Sequence, residues 1–579
     1  MNPSNPLIVQ SDRTILLEVD HPQHAEARDA IAQFAELEKS PEHIHTYRLS
    51  PLSLWNAAAG GMNAQTILDL LARYSKYDIP SNITVDIRDY ISRYGRIKLI
   101  REGDALLLTS SDAALIAEIM HHRRTQPFLL RQLNSHTIQV NASRRGHIKQ
   151  ALIHIGFPAE DLAGYTEGSP LPMHLRTIAT AGKEFQPRAY QYGASAAFYA
   201  GGAPSGGSGV VVLPCGAGKT IVGLVTIADI QRATLILSPN TIAVRQWIQE
   251  ILDKTDIPPE MIGEYTGDRK EIRPITVSTY QILTYRRPTR KEQADGDGRE
   301  EAAEEDFPHF SLFTSYDWGL IIYDEVHLLP APVFRITAEI QARRRLGLTA
   351  TLVREDGREA DVFSLIGPKK YDVPWRELER QGWIATAECH EIRVGMTEDE
   401  QLNYAVADER EKYRIAAETP EKLNIARFLA ERHRDDQVLI IGQYIDQLKL
   451  LAEELEAPLL TGRTTNKQRE KLYEQFRRGE IKHMVVSKVA NFAIDLPDAN
   501  VAIQVSGTFG SRQEEAQRLG RILRPKQDGG LAYFYSIVTR DTRDQEFSAN
   551  RQLFLTEQGY RYVIEDAEEM LTSPATNVG

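Results

Sequence analysis

Gly209-Val210-Val211-Val212-Leu213-Pro214-Cys215-Gly216-Ala217-Gly218-Lys219-Thr220-Ile221 is the stretch that decides the fold. Four apolar residues predict a buried strand, and the residues from Ile221 to Ile227 predict the helix that follows. Between them, Gly216 and Gly218 let the backbone curl so that successive N–H groups point at phosphate oxygens. Ala217 lies between the two glycines, Lys219 supplies a cation for β- and γ-phosphates, and the Thr220 hydroxyl suits a magnesium ion. A strict phosphate loop has glycine where Leu213 stands. The flanking strand and helix nevertheless supply the context that such a loop requires.

Downstream, the strand Leu320–Tyr323 runs into Asp324-Glu325-Val326-His327. Doubly wound sheets hold their ligands at strand ends of this kind. Asp324 suits magnesium held through water, and Glu325 suits polarisation of an attacking water. His327 is expected to couple the nucleotide site to Thr349 or Gln517. Thr349 and Thr351 close the next strand, where hydroxyls can relay the nucleotide state. Far along the chain, Gln517-Arg518-Leu519-Gly520-Arg521-Ile522-Leu523-Arg524 carries Arg521 and Arg524 three residues apart, on one face if the segment is helical. From across a cleft they can act as arginine fingers on the γ-phosphate. The four pieces together imply a nucleic-acid motor driven by ATP and Mg2+.

Outward from these motifs, short apolar strands recur at Thr234–Leu237, Ile275–Ser278 and Arg345–Leu348. A second set follows at Val438–Ile441, Met484–Ser487, Val501–Val505 and Ala532–Ile537. Strands alternating with helices predict an α/β fold with two RecA-like, doubly wound parallel sheets. Residues 1–175 read as an α+β, winged-helix-like accessory region. It has a hairpin over residues 7–19, helices near Ser53–Ala59, from Asn63 and from Ser81, and then strands Ile97–Ile100 and Ala105–Leu108. The domains are therefore expected at 1–175, 176–375 (with the ATP site) and 376–579, with Arg393–Glu418 as a charged helical insertion. Gly201–Ser208 reads as a loop, and Arg286–Asp306 as a solvated, disordered excursion between strands.

Composition sets bounds. At 579 residues the chain is too long for one core. Its net charge of −12 is compatible with a motor that needs only a local track of phosphate donors. Cys215 and Cys389 are the only cysteines, which excludes a disulfide framework or a zinc site. No secretory signal or bilayer-length apolar run is apparent, so the expected compartment is the cytoplasm, with no membrane partner.

The motifs resemble those of the xeroderma pigmentosum group B (XPB) DNA repair helicases of superfamily 2, in a short prokaryotic form. The resemblance covers nearly the whole chain. It is carried by Leu213–Thr220, Asp324–Pro330, Leu346–Asp356, Ser487-Lys488-Val489, Asp495-Leu496-Pro497, Ala499-Asn500-Val501 and Gln517–Pro525, and it reaches Gln558-Gly559-Tyr560. It implies an ATP-dependent 3′–5′ helicase or translocase that opens DNA in repair. It also implies that Arg354-Glu355-Asp356 serves DNA opening, that Arg188 and Gln191 read adenine, and that the 393–418 insertion occupies the place of a thumb. DNA, single-stranded or forked, is the implied partner, with a nuclease or repair complex as a further one. The alternatives are a double-stranded DNA translocase that does not separate strands, and a scaffold that binds ATP as a switch. Candidate DNA contacts are Ser238-Pro239-Asn240, Arg245, Gln246, Thr279, Tyr280, Gln443, Thr461-Gly462-Arg463 and Ser487-Lys488.

Overall fold

The computed structural model describes residues 2–572 apart from 40–42, 181, 204, 215, 286–306, 341–342, 351–358, 374, 384, 488–498, 508–530, 558–559 and 561. The N-terminal region opens with β1 (Leu7–Val9), β2 (Thr14–Glu18), β3 (Glu36–Lys39) and β4 (Ile44–Arg48), an antiparallel sheet in the order β1-β2-β4-β3. The expected hairpin is there, with Leu7 opposite Leu17. Three helices follow at Pro51–Ala59, Ala64–Tyr74 and Ser81–Arg93. Local chemistry explains where the first two begin. Ser50 and Ser53 form a reciprocal cap with proline at the first helical position, and the Asn63 side chain accepts from the Thr66 N–H. The helix Ala64–Tyr74 buries Ile67, Leu68, Leu71 and Tyr74 along one stripe.

The predicted helices-then-hairpin order is also present, with β5 (Ile97–Glu102) and β6 (Ala105–Thr109) paired antiparallel. The hairpin does not stand alone. With β7 (Leu129–Asn134), β8 (Thr137–Val140) and β9 (Ala159–Asp161) it forms a five-stranded sheet, ordered β7-β8-β6-β5-β9.

The motor follows. β10 (Ser208–Val212), β11 (Thr234–Ser238), β12 (Ile262–Tyr265), β13 (Ile275–Thr279), β14 (Leu320–Asp324), β15 (Arg344–Thr349) and β16 (Lys369–Asp372) make a seven-stranded sheet in the order β12-β13-β11-β14-β15-β10-β16. Every pairing in it is parallel. Both faces are buried: Val211, Ile236, Ile322 and Leu348 enter one core, while Val210, Leu235, Ile321 and Tyr323 enter another. The strands therefore read as continuous apolar runs.

A second seven-stranded sheet is built the same way from β17 (Ala387–Val394), β18 (Val438–Gly442), β19 (Leu459–Leu460), β20 (His483–Ser487), β21 (Val501–Gln504), β22 (Ala532–Thr539) and β23 (Tyr562–Asp566). Its order is β19-β20-β18-β21-β22-β17-β23, again all parallel. The α/β class with two doubly wound parallel sheets is thus as expected. The 393–418 segment holds two helices. Glu398–Val406 buries no side chain, whereas Glu409–Ala417 buries Tyr413, Ala416 and Ala417.

Candidate ATP site

In the first seven-stranded sheet β15 lies between β10 and β14. The register sets Val212 beside Thr349 and Leu348 beside Asp324, so the three strands end at one level. The loop after β10, the acidic pair after β14 and the threonine ending β15 therefore meet at the carboxyl edge of the sheet.

Gly216 and Gly218 have φ of +81° and +78°, the left-handed backbone that curls the loop. A Cβ on Gly218 would stand 2.6 Å from Gln191 Nε2, so the close approach of Gln191 also demands glycine there. Gly218 caps the helix Lys219–Ile230, whose first turn carries Lys219 and Thr220. The N-terminus of that helix, the loop amides and the Lys219 ammonium supply the positive setting that polyphosphate needs. Lys219 Nζ stands 3.1 Å from Glu325 Oε1, with both side chains largely buried. Glu325 itself has φ of +48°, a left-handed conformation costly to a residue with a Cβ, of the sort that clusters at functional sites.

Asp324 is held from behind. Its Oδ2 accepts from Ser238 Oγ and from the Trp247 indole N–H, each at 2.9 Å, and its carbonyl accepts from the Tyr280 hydroxyl at 2.9 Å. Burial and the neighbouring Glu325 charge push its carboxyl up to about 6, against the lowering effects of Trp247, Lys219 and Ser238. Two crowded carboxylates, one of them desolvated, form an environment that a divalent cation relieves, so the donor set fits magnesium. His327 Nδ1 lies 2.7 Å from Thr349 Oγ1 and 3.5 Å from Glu325 Oε2, which joins the acidic pair to the end of β15.

On the other flank, Arg188 and Gln191 begin the helix Ala189–Tyr199. The Gln191 amide is engaged at both ends: Oε1 accepts from the Arg188 backbone N–H at 2.8 Å, and Nε2 donates to Ala217 O at 3.0 Å. Tyr190 donates to the same carbonyl at 2.7 Å. Both side chains grip the phosphate loop.

Several groups read as DNA contacts turn inward. Ser238 and Tyr280 bind Asp324, and the Asn240 and Thr279 side chains cap the helices that follow them. Gln443 donates its backbone N–H to Ser506 Oγ at 2.8 Å. Arg245 and Arg463 stay exposed, Arg245 within 3.8 Å of Asp268. Trp247 and Tyr190 escaped the sequence reading. Trp247 had a signal in Gly223 four residues after Lys219, since a Cβ there would meet the indole at 2.4 Å. Thr351, Arg354, Glu355, Asp356, Lys488, Gln517, Arg521 and Arg524 lie outside the described residues.

A phosphate loop and an acidic pair at one edge of the first of two successive parallel-sheet units place the chain among the two-domain RecA-like motor ATPases. Comparison with known proteins narrows this. The family described as ERCC3/RAD25/XPB C-terminal helicase matches residues 378–577. Type III restriction enzyme, res subunit, matches 184–354, and Helicase conserved C-terminal domain matches 7–134. The DNA 3′-5′ helicase XPB of Mycobacterium tuberculosis is 53% identical over 567 residues, covering 98% of each chain. That of Kineococcus radiotolerans is 52% identical, covering 98% of this chain and 97% of its own. The general transcription and DNA repair factor IIH helicase/translocase subunit XPB of Enterocytozoon bieneusi is 32% identical, with 96% and 92% covered. The chain belongs to the XPB family of DNA helicases, ATP-dependent enzymes of superfamily 2.

Proposed function

We propose that this chain hydrolyses ATP·Mg2+ between its two motor domains and uses the cycle to move 3′–5′ along DNA and separate its strands in repair. The observation that carries the reading is the Lys219–Glu325 pair beside the glycine-curled loop. Incoming phosphates draw Lys219 from Glu325, and the freed carboxylate orients and deprotonates the attacking water. Thr220 and Asp324 are the groups to hold magnesium, which when bound neutralises charge on the β- and γ-phosphates. The His327–Thr349 hydrogen bond carries the state of Glu325 along β15. Gln517, Arg521 and Arg524 complete the site from the second domain, and closure and reopening alternate the grip of the two domains on the strand.

In the same reading Arg354, Glu355 and Asp356 assist strand opening, and Thr351 relays between domains. Residues 1–175 form the accessory domain, winged-helix-like in its helices and hairpin, ahead of motor domains at 176–375 and 376–579. A nuclease or repair complex is the protein partner. The chain acts in the cytoplasm; among the described residues no helix is long and apolar enough to cross a membrane.

The test is ATP turnover without nucleic acid and with single-stranded, forked or duplex DNA or RNA, paired with displacement of strands from 3′- and 5′-tailed duplexes. DNA-stimulated turnover, lost in Glu325→Gln, with displacement from 3′ tails only, is expected. Stimulation by duplex without displacement would instead establish a duplex translocase, and turnover indifferent to DNA would sink the motor reading.

A further inference from the structure

All five tryptophans are described, and Trp383 alone presents an open ring. It is 37% exposed, while Trp55, Trp247, Trp318 and Trp375 are at most 5% exposed. Its seat is rigid. The helix Trp375–Arg380 ends in a Schellman motif, in which the Gly382 N–H donates to Glu379 O at 2.9 Å and the Trp383 N–H donates to Leu378 O at 2.8 Å. Gly382 takes φ of +72°, as that motif demands. The helix is anchored in turn, with Trp375 and Leu378 buried and the Trp375 ring meeting Tyr560 edge-on at 6.1 Å. Tyr560 lies just before β23, so Trp383 is fixed on the side of the second motor domain.

From that seat the indole packs on a residue of the first domain. The Arg188 guanidinium lies 4.3 Å from the centre of the Trp383 ring. Arg188 Nη1 donates to the Tyr190 hydroxyl at 3.1 Å, and Tyr190 donates to Ala217 O in the phosphate loop. Three contacts thus lead from Trp383 to the loop. Gln191, the neighbouring amide, has its oxygen and its nitrogen each engaged within the protein. A planar base at this flank needs an aromatic or cationic surface more than another amide. Trp383 over Arg188 supplies one, at the junction of the two domains.

We propose that Trp383 is a base-binding residue of the ATP site, supplied by the second motor domain, on which the purine stacks beside Arg188. Stacking then steadies Arg188 and Tyr190, and through them the phosphate loop, so that base recognition and domain closure are one event. This deepens the ATP-site reading above and rests on it.

The experiment measures binding of ATP and of inorganic triphosphate to the full chain and to its Trp383→Ala, Trp383→Phe and Lys219→Ala variants, together with acrylamide quenching of tryptophan fluorescence. Trp383→Ala should weaken ATP roughly tenfold, the worth of a desolvated stacking contact, and raise KM for ATP in step with a smaller effect on kcat. It should leave inorganic triphosphate binding alone, and Trp383→Phe should recover most of the loss. ATP should shield the quenchable component in the wild type, and Trp383→Phe should lack that component. Equal ATP affinity in Trp383→Ala, or equal loss of both ligands, overturns the proposal. If the wild type binds no ATP, or Lys219→Ala binds it as well as wild type, the ATP-site reading falls and this one with it.

Discussion

His327 and Thr349 meet by one hydrogen bond of 2.7 Å in a place where both side chains are buried. Thr349→Val keeps the shape and removes the hydroxyl, so the imidazole loses a partner at a cost of about 1–3 kcal/mol. If the bond also passes the state of Glu325 toward the strand end, DNA-stimulated turnover should fall further than turnover without DNA. ATPase assays with and without single-stranded DNA, beside a thermal melt, decide it. Equal loss in both assays would leave Thr349 a purely structural threonine. At this scale the sequence was most legible where chemistry and backbone coincide. Gly216, Gly218, Lys219, Asp324 and Glu325 were readable as one constellation, and the fold brings them together at one sheet edge. Ser238 and Tyr280 misled, because a polar group at a strand end looks the same whether it faces solvent or, as here, reaches sideways to Asp324. Trp247 was hidden as one more apolar residue on a helix.

Among the elements, the central strands were readable as apolar runs, since both of their faces are buried. Three of the strands that escaped have physical reasons to hide. β16 (Lys-Lys-Tyr-Asp) has no buried residue, and β7 is almost wholly exposed at the edge of its sheet. β17 lies inside its sheet yet carries Glu388, His390, Glu391 and Arg393. Its buried Glu391 accepts from Ser548 and Gln552, and His390 Nδ1 pairs with Glu565, partners that arrive from the far end of the chain. The charged insertion was legible as helical, but its two helices differ in a way that charge does not reveal. Tyr413 of the second donates to the carbonyl of Gly507, the last described residue before 508–530, which contains Gln517, Arg521 and Arg524. Lys422, fully buried, pairs with Asp544 beside Arg551, whose guanidinium would lie 2.5 Å from a Cβ on Gly507. Tyr413→Phe should therefore destabilise the second domain by about 1–3 kcal/mol through the orphaned carbonyl and lower kcat. Replacing 398–406 by a short Gly-Ser linker should lower melting by no more than one hydrogen bond, that of the Arg543 N–H to the Tyr404 hydroxyl at 2.9 Å, and leave DNA-free turnover unchanged, because that helix buries no side chain. Calorimetry with steady-state turnover on both variants checks the contrast; a reversed order would mean that the first helix is the anchored one.

Across the whole molecule, the N-terminal region docks on the first motor domain at the sheet end remote from the ATP site, where β15 begins. A Cβ on Gly146 would lie 2.3 Å from Ala338 O, Gln150 donates to Asp361 at 2.8 Å, and the Lys369 N–H donates to Asn56 at 3.1 Å. Toward the second domain the same region encloses Leu553 of the helix Arg543–Glu557. At the heart of the first junction Asp161 faces Arg145 at 2.7 Å and Lys149 at 3.1 Å, and the Tyr165 ring lies between Arg145 and the buried Arg345 of β15. One carboxylate thus serves more cations than it can neutralise. Burial, with Arg345 and Arg145 adding to it and Asp161 opposing, pushes Lys149 down to about 8 from 10.5. Asp161 is held well below the usual carboxylate range by Lys149 and Arg145, against its own burial.

Both groups make stability rise with pH, in separate windows. Between pH 8 and 10.5 the unfolded chain keeps a proton that folded Lys149 has released, so stability rises with pH across that window, by up to about 3 kcal/mol. The contribution of Asp161 is present above its unfolded pKa and is lost only as the pH falls below it. Asp161→Asn strands two buried cations and should cost about 3–5 kcal/mol at neutral pH. Lys149→Met removes the surplus charge, so it should be neutral or stabilising at pH 7 and should abolish the alkaline rise. Chemical denaturation of the full chain at pH 7, 8.5 and 10 measures all three arms. An alkaline rise that persists in Lys149→Met would assign it to another group. If instead Asp161→Asn were harmless at pH 7, the ion cluster would not be what seats the N-terminal region on the motor, and that work would fall to the Gly146–Ala338 contact.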